Sequence, residues 1–430
     1  MRIRVPGDKS LTQRALILAA LADGESTLAG LLSGGDASST AGALRGLGVD
    51  VGEIPSDGST LRVRGVGLGG LRSPAAPLDL GNSGTGTRLL MGVLAGSRVR
   101  AVLTGDASLS ARPMARVTGP LSTMGASLRH LGPDGRLPLE IRGTRPLSPL
   151  EWASPVASAQ VKSALLLAGV TGGAPVRLTE PRRSRDHTER LLAQMGVSLA
   201  EAPAGGAWRV ELAVAPQRLE PLDFRVPGDP SSAAFFVALA ALGGAGEALE
   251  LDGIGLNPTR TAFFDVARRM GAPVTWRADG APGPGEPVGS VAAGPGELVG
   301  VTVRAEEIPG LIDELPLVAI LACRARGETR VEGAGELRHK ESDRIRAVVE
   351  NLRAVGARAE ELPDGFVVEG TSGSLSGRVR THGDHRIAMA FGVLGSLPAC
   401  RITVDQREAA DVSFPGFWEL LRSVRDRRGS

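Results

Sequence analysis

The alternation of apolar and polar positions falls into one pattern that recurs six times along the chain. A small-residue apolar run, such as residues 15–20, leads through a Gly-containing loop into a short β-rich run. The β runs close at Gly30, Gly105, Glu180, Gly253, Gly333 and Asp405, 72 to 80 residues apart. Self-similarity at a near-constant period marks a repeated structural unit. The second half of each unit is an amphipathic helix that stops at a small-residue break, followed by two β runs. It is visible at residues 44–47 before Gly48, 121–124 before Gly125, 192–195 before Gly196, 267–270 before Gly271 and 352–355 before Gly356. Each Gly suits the left-handed residue that closes a helix. In the sixth copy a helix over 417–424 has no hairpin after it. The pattern predicts an α/β chain with mixed sheets and helices packed in the interior. The helix over 163–169 has no polar face and is expected to be buried.

A second repetition divides the six units. The turn Val5-Pro6-Gly7-Asp8-Lys9-Ser10 is echoed by Val226-Pro227-Gly228-Asp229-Pro230-Ser231, with Pro230 in place of Lys9. The echo keeps the turn and loses the charge, so the first copy is the candidate site and the second a scaffold. Two domains of three units follow: 1–8 with 226–430, and an inserted 9–225, with a ligand cleft expected between them. The Gly- and Pro-rich stretch 281–300 is expected to be a surface loop.

Composition narrows the class. Hydrophobic residues at 42% and charged residues at 22% fit a globular chain of 430 residues. The apolar runs are short and broken by Gly, so no membrane span is expected. A candidate site that begins at Pro6 leaves no room for a removable leader. Cys323 and Cys400 are too few for a disulfide framework, and a cytoplasmic protein is expected. A net charge of +2 implies no nucleic-acid or membrane surface, and the absence of Tyr argues against base stacking. Of 49 basic residues only Lys9, Lys162 and Lys340 are lysines. In a chain so biased to Arg they mark places that need a compact ammonium, with chance retention the alternative, above all for Lys162.

Charge then collects where the repeat does not require it. Lys9, Ser10 and Arg14 sit at the start of a helix, where free N–H groups and the dipole favour an anion. The Gly-rich turn over 80–88, with Gly84 and Arg88, suits either tight packing or backbone contact with an anion. Arg112 precedes Pro113 at a helix start, or is an exposed loop residue. Around Ser158, Ala159, Gln160, Lys162 and Arg185, capping explains the Ser residues but not Gln160, Lys162 or Arg185. Asp313 lies beside an apolar helix as a proton-transfer group or as a helix N-terminal acid. Residues 339–344 crowd five ionisable groups, including Lys340, Glu341 and Arg344, which is a site or a solvated face. His382 and His385 flank Asp384 before Arg386, but five His with no Cys cluster give little support for a metal. A cleft collecting these cations would take small, multiply charged phosphates or carboxylates. Asp313 and Glu341 among them would be placed for acid–base work.

At these residues the chain resembles the 5-enolpyruvylshikimate-3-phosphate synthase family of enolpyruvyl transferases. The matches are PGDKS with Arg14, GNSGT with Arg88, Arg112-Pro113-Met114, SAQVKSA, RDHTE, KESDR and GDHR, in order along almost the whole chain. The resemblance implies an inside-out two-domain α/β barrel with three βαβαββ units per domain. It implies transfer of the enolpyruvyl group of phosphoenolpyruvate to the 5-hydroxyl of shikimate 3-phosphate through a tetrahedral intermediate, in aromatic amino-acid and chorismate biosynthesis, with no metal or organic cofactor. Lys9, Ser10, Arg14, Ser158, Ala159, Gln160, Arg185, Asp313 and Lys340 are then expected at shikimate 3-phosphate. Lys9, Gly84, Arg112, Gln160, Arg344 and Arg386 are expected at phosphoenolpyruvate, with Asp313, Glu341 and Lys9 catalytic. A monomer is the family expectation, and Gly84 rather than Ala suggests room for the inhibitor glyphosate.

Three positions depart from the family pattern. Arg185 falls where some relatives have Tyr, Glu336 where some have Asn, and Val412 where some have Lys. The rival enzyme is UDP-N-acetylglucosamine enolpyruvyl transferase, whose reactive Cys has no counterpart over residues 107–111. A noncatalytic organophosphate-binding protein is the rival of another class, and retention of both Asp313 and Glu341 counts against it. RNA-terminal phosphate chemistry lacks its His-centred nucleophile.

Overall fold

Three helices begin at the Ser- and Asp-bearing turns and carry the first half of the chain. Asp8 caps the Lys9–Leu21 helix by accepting from Leu11 N at 2.7 Å. Ser83 caps Gly84–Ala95 through Gly86 N at 3.0 Å, and Ser158 caps Ala159–Gly172. Each cap satisfies an N–H that has no partner within its own helix. From their second turns on, these helices are buried almost all round, which their Ala, Leu and Gly content permits. A Cβ added to Gly92 would lie 2.0 Å from Ala164 O, and one added to Gly96 would lie 2.3 Å from Gly172 N. The Gly84–Ala95 and Ala159–Gly172 helices therefore touch backbone to backbone and run parallel, with their N-termini at the same end.

The computed structural model describes residues 1–280, 283 and 285–426. The chain divides into two units, Gly7–Val226 with Pro282–Glu286, and Met1–Pro6 with Pro227–Ala281 and Pro287–Ser430. In the first of these, three four-stranded sheets repeat one topology, a parallel pair followed by two antiparallel pairings. Asp223–Arg225, Glu25–Ala29, Leu61–Arg64 and Asp50–Val51 form one. The others centre on Arg100–Thr104 and on Val176–Glu180. Strands such as Leu61–Arg64 bury alternate residues, so one sheet face packs inward while the other meets solvent. Helices inside and sheets outside give the expected inside-out architecture.

The second unit repeats the arrangement. Arg2–Ile3 lies parallel to Leu249–Gly255, with Arg2 opposite Glu250, and the sheet continues through Val288–Ala293 to Val274–Ala278. A second sheet centres on Glu328–Val331. Leu375–Val379 and Cys400–Val404 form a parallel pair, with no hairpin among the described residues that follow. The interior helices are Pro230–Ala241, Leu315–Ala322 and His385–Gly395, all apolar and buried.

One expectation is corrected. The stretch 281–300 is not simply a surface loop, because Val288–Ala293 is an inner strand of a four-stranded sheet. Gly289, Val291 and Ala293 point inward. A Cβ at Gly289 would lie 2.0 Å from Arg277 O, so that glycine serves close strand pairing rather than a turn. Residues 281, 282 and 284 lie outside the described residues. No helix among the described residues is long and apolar enough to cross a membrane.

Candidate active site

The residues singled out in the sequence form two groups, each within one unit. In the unit of Gly7–Val226 the N-termini of the three interior helices meet. Gln13 Nε2 donates to Ser83 Oγ at 2.5 Å, Arg14 Nη2 to Ser163 Oγ at 3.1 Å and Gln160 Nε2 to Thr85 Oγ1 at 3.0 Å. Three positive helix ends thus share one region, where backbone N–H groups favour anions. Lys9 Nζ lies 3.0 Å from Asp36 Oδ2. Arg14 is buried and its guanidinium is fully directed. Nε donates to Thr188 Oγ1 at 2.9 Å, and Nη1 donates to Ser10 Oγ at 2.5 Å. Burial lowers its pKa to about 10, against the opposing pull of Glu189 and Asp8, so it stays cationic at neutral pH. The charge of Arg185 also acts on Arg14.

Gly84 is covered by two guanidinium groups. A Cβ there would meet Arg112 Nη1 at 2.8 Å and Arg88 Nη1 at 3.0 Å. Arg112 Nη2 donates to Asn82 Oδ1 and, at 3.4 Å, to Ser108 Oγ. Arg88 Nη1 donates to Gln160 Oε1 at 2.8 Å, tying the Gly-rich turn to the start of the Ala159–Gly172 helix.

The second group surrounds Asp313, on the 3-10 turn Ile312–Glu314 just before the apolar Leu315–Ala322 helix. Its carboxylate meets three cations: Lys340 Nζ at 3.3 Å, Arg344 Nη1 at 3.2 Å and Arg386 Nη2 at 3.7 Å. Arg344 is 1% exposed and also donates to Glu341 Oε2 at 2.5 Å and Asp384 Oδ2 at 2.8 Å. Burial alone would lower its pKa, but Asp384, Glu341 and Asp313 outweigh burial and raise it. For Asp384 burial acts upward, yet the charge and hydrogen bonds of Arg344 hold the carboxyl below its ordinary range. Asp384 also caps the His385–Gly395 helix through Arg386 N at 2.9 Å. The crowded run 339–344 is therefore no solvated face at Arg344. The group gathers two carboxylates able to exchange protons, Asp313 and Glu341, against fixed positive charge.

The echoed turn is built differently. Asp229 caps the Pro230–Ala241 helix and accepts from Arg260 Nη2 at 2.9 Å, while Ser231 Oγ donates to Glu314 Oε1. Arg260, from a distant part of the chain, is 3% exposed.

Several residues in these groups are missing from the sequence-based set. Arg88 stood in a quoted motif without a role. Asp384, Ser163 and Thr188 read as ordinary caps or helix residues. Glu286 gave no signal, yet its Oε1 lies 2.7 Å from His187 Nδ1 and its charge acts on Arg14. Lys162, flagged by its rarity, is buried against Glu180 and Glu189 at 2.9 Å each.

Comparison with known proteins gives a consistent set of likenesses. A family model described as EPSP synthase (3-phosphoshikimate 1-carboxyvinyltransferase) matches residues 1–421. The 3-phosphoshikimate 1-carboxyvinyltransferase of Novosphingobium aromaticivorans is 46% identical over 429 residues, covering 98% of this chain and 96% of the relative. That of Alkalilimnicola ehrlichii is 46% identical over 419 residues, covering 97% and 92%. Among solved structures, EPSP synthase from Acinetobacter baumannii superposes with a TM-score of 0.83 at 37% identity, covering 99% of this chain and 95% of that one. The enolpyruvyl transferase NikO of Streptomyces tendae, at 19% identity and a TM-score of 0.75 over 99% and 94%, shares the fold.

Proposed function

We propose that this chain, which belongs to the EPSP synthase (3-phosphoshikimate 1-carboxyvinyltransferase) family, transfers the enolpyruvyl group of phosphoenolpyruvate to the 5-hydroxyl of shikimate 3-phosphate and releases phosphate. The observation that carries the reading is the group around Asp313, where two carboxylates are held by three cations. Such a set supports a reaction that both moves protons and develops negative charge on a leaving phosphate.

Lys9, Ser10, Arg14, Ser158, Ala159, Gln160 and Arg185 are the proposed holders of shikimate 3-phosphate, with Asp313 and Lys340 at its reacting hydroxyl. Arg14, already fixed by Thr188 and Ser163, has little freedom left to lose on binding a carboxylate or phosphate. Lys9, Gly84, Arg112, Gln160, Arg344 and Arg386 are the proposed holders of phosphoenolpyruvate. The absence of a side chain at Gly84 lets Arg112 and Arg88 approach the backbone, so that two guanidinium groups are on hand for a small anion such as phosphoenolpyruvate or glyphosate.

In the proposed reaction Glu341 delivers a proton to the methylene carbon of phosphoenolpyruvate, and C2 becomes electrophilic. The 5-hydroxyl adds there and passes its proton to Asp313, with Lys9 as the third participant in proton transfer. The tetrahedral adduct then returns a proton from its methyl group, reforms the double bond and expels phosphate. Arg344, Arg386 and Arg112 stabilise charge moving onto that phosphate. A cytoplasmic monomer working on free phosphorylated metabolites goes with this reading.

Glu341→Gln tests the assignment. The variant keeps an acceptor for Arg344 but carries no exchangeable acid proton. We expect kcat to fall by roughly 100-fold or more with shikimate 3-phosphate affinity within about twofold. Unchanged turnover would contradict the role of Glu341.

A further inference from the structure

Lys162 is one of only three lysines among 49 basic residues, and the reaction scheme above makes no use of it. Its ammonium donates to Glu180 Oε1 at 2.9 Å and to Ser184 O at 3.2 Å, and it lies 2.9 Å from Glu189 Oε1 as an ion pair. The side chains of Lys162, Glu180 and Glu189 are 3%, 4% and 2% exposed. A planar guanidinium carries five donors and could not sit among three oxygens spread around one nitrogen without leaving buried donors unpaired. That accounts for a lysine surviving here in a chain that uses Arg almost everywhere else. Burial acts to lower the pKa of Lys162, but Glu189 and Glu180 raise it, so the charge remains.

The same contacts lead outward to two residues of the shikimate 3-phosphate side. Glu180 accepts from Ser184 N at 2.8 Å and Ser184 Oγ at 2.7 Å. Together with the Lys162–Ser184 bond, they fix the residue immediately before Arg185. At the neighbouring position of each helix, Ser163 and Thr188 are bonded to each other at 2.7 Å and hold the guanidinium of Arg14. The Ala159–Gly172 and His187–Gln194 helices are thus joined twice at adjacent positions, by Lys162–Glu189 and by Ser163–Thr188. A shift in the ion pair moves the hydroxyls that aim Arg14.

We propose that Lys162 is a positioning residue for shikimate 3-phosphate, setting through Glu180, Ser184 and Glu189 where Arg185 and Arg14 present their charges. The proposal rests on the function argued above. Its test compares the full-length protein with Lys162→Arg and Ser184→Ala, measuring KM for each substrate, kcat and Tm. Lys162→Arg is expected to raise KM for shikimate 3-phosphate roughly tenfold while KM for phosphoenolpyruvate stays within about twofold. Ser184→Ala removes one hydrogen bond to Glu180, and should show the same split at roughly threefold. A purely structural ion pair would lower Tm without separating the two KM values. Unmoved KM for shikimate 3-phosphate in both variants, with an active unmutated protein, overturns this inference alone. If Lys162→Arg does not fold, Ser184→Ala decides. An unmutated protein that does not use shikimate 3-phosphate overturns the function reading, and this inference with it.

Discussion

Asp384 shows how one side chain can serve fold and site together. It caps the His385–Gly395 helix and faces the buried Arg344 from below the ordinary carboxyl range. Replacing it by Asn would leave a buried guanidinium short of a counter-charge, a change that costs roughly 3–5 kcal/mol. Because its folded pKa is depressed, its contribution is present above the unfolded value of about 3.9 and is lost as pH falls through the folded one. The Tm difference between the unmutated protein and Asp384→Asn should therefore be widest near neutrality and shrink as pH drops below about 4. A pH-independent difference would count against an ionised Asp384. Nothing local in the sequence announced this residue, since an Asp before a helix is fully accounted for by capping. Arg344 and Glu341 were visible as a charge run, but whether the run faced solvent or interior depended on Asp384 and Asp313, 40 and 31 positions from Arg344.

The interior helices depend on glycines where they touch. In an exposed helix Gly→Ala stabilises by about 1 kcal/mol, but at Gly92 the new methyl would lie 2.0 Å from Ala164 O, a backbone atom that cannot rotate away. The clash wins, and Gly92→Ala should destabilise by roughly 1–3 kcal/mol, read as a lower Tm and as weaker shikimate 3-phosphate binding, because Gly84 and Ser158 start the two helices forced apart. An unchanged Tm would mean that the helices pack less closely than described. The helices and sheets were legible because their six-fold pattern repeats the same burial problem, and a wrong reading of one copy is corrected by the others. Val288–Ala293 escaped because Gly and Pro around it suggested turns, whereas Gly289 is demanded by a neighbouring strand. The ion triad of Lys162 was detectable only as a rare residue type, since Glu180 and Glu189 lie on separate elements and gave no joint signal.

Over the whole chain, two units repeat one design, with three interior helices whose N-termini converge and sheets around them. They diverge in what occupies that convergence. The unit of Gly7–Val226 offers Lys9, Arg14 and Arg112, whereas the echoed turn near Asp229 is filled by Arg260 and Glu314. The unit of Met1–Pro6, Pro227–Ala281 and Pro287–Ser430 instead places its charge around Asp313, Glu341 and Arg344. The difference is visible in the two copies of the Val-Pro-Gly-Asp turn, which carry Lys9 in one and Pro230 in the other. The account stands on shikimate 3-phosphate being the acceptor. Phosphate release from phosphoenolpyruvate, measured with shikimate 3-phosphate and separately with UDP-N-acetylglucosamine, tests that claim directly. Release is expected with shikimate 3-phosphate alone. Release with only the sugar nucleotide, or with neither acceptor, would contradict the account.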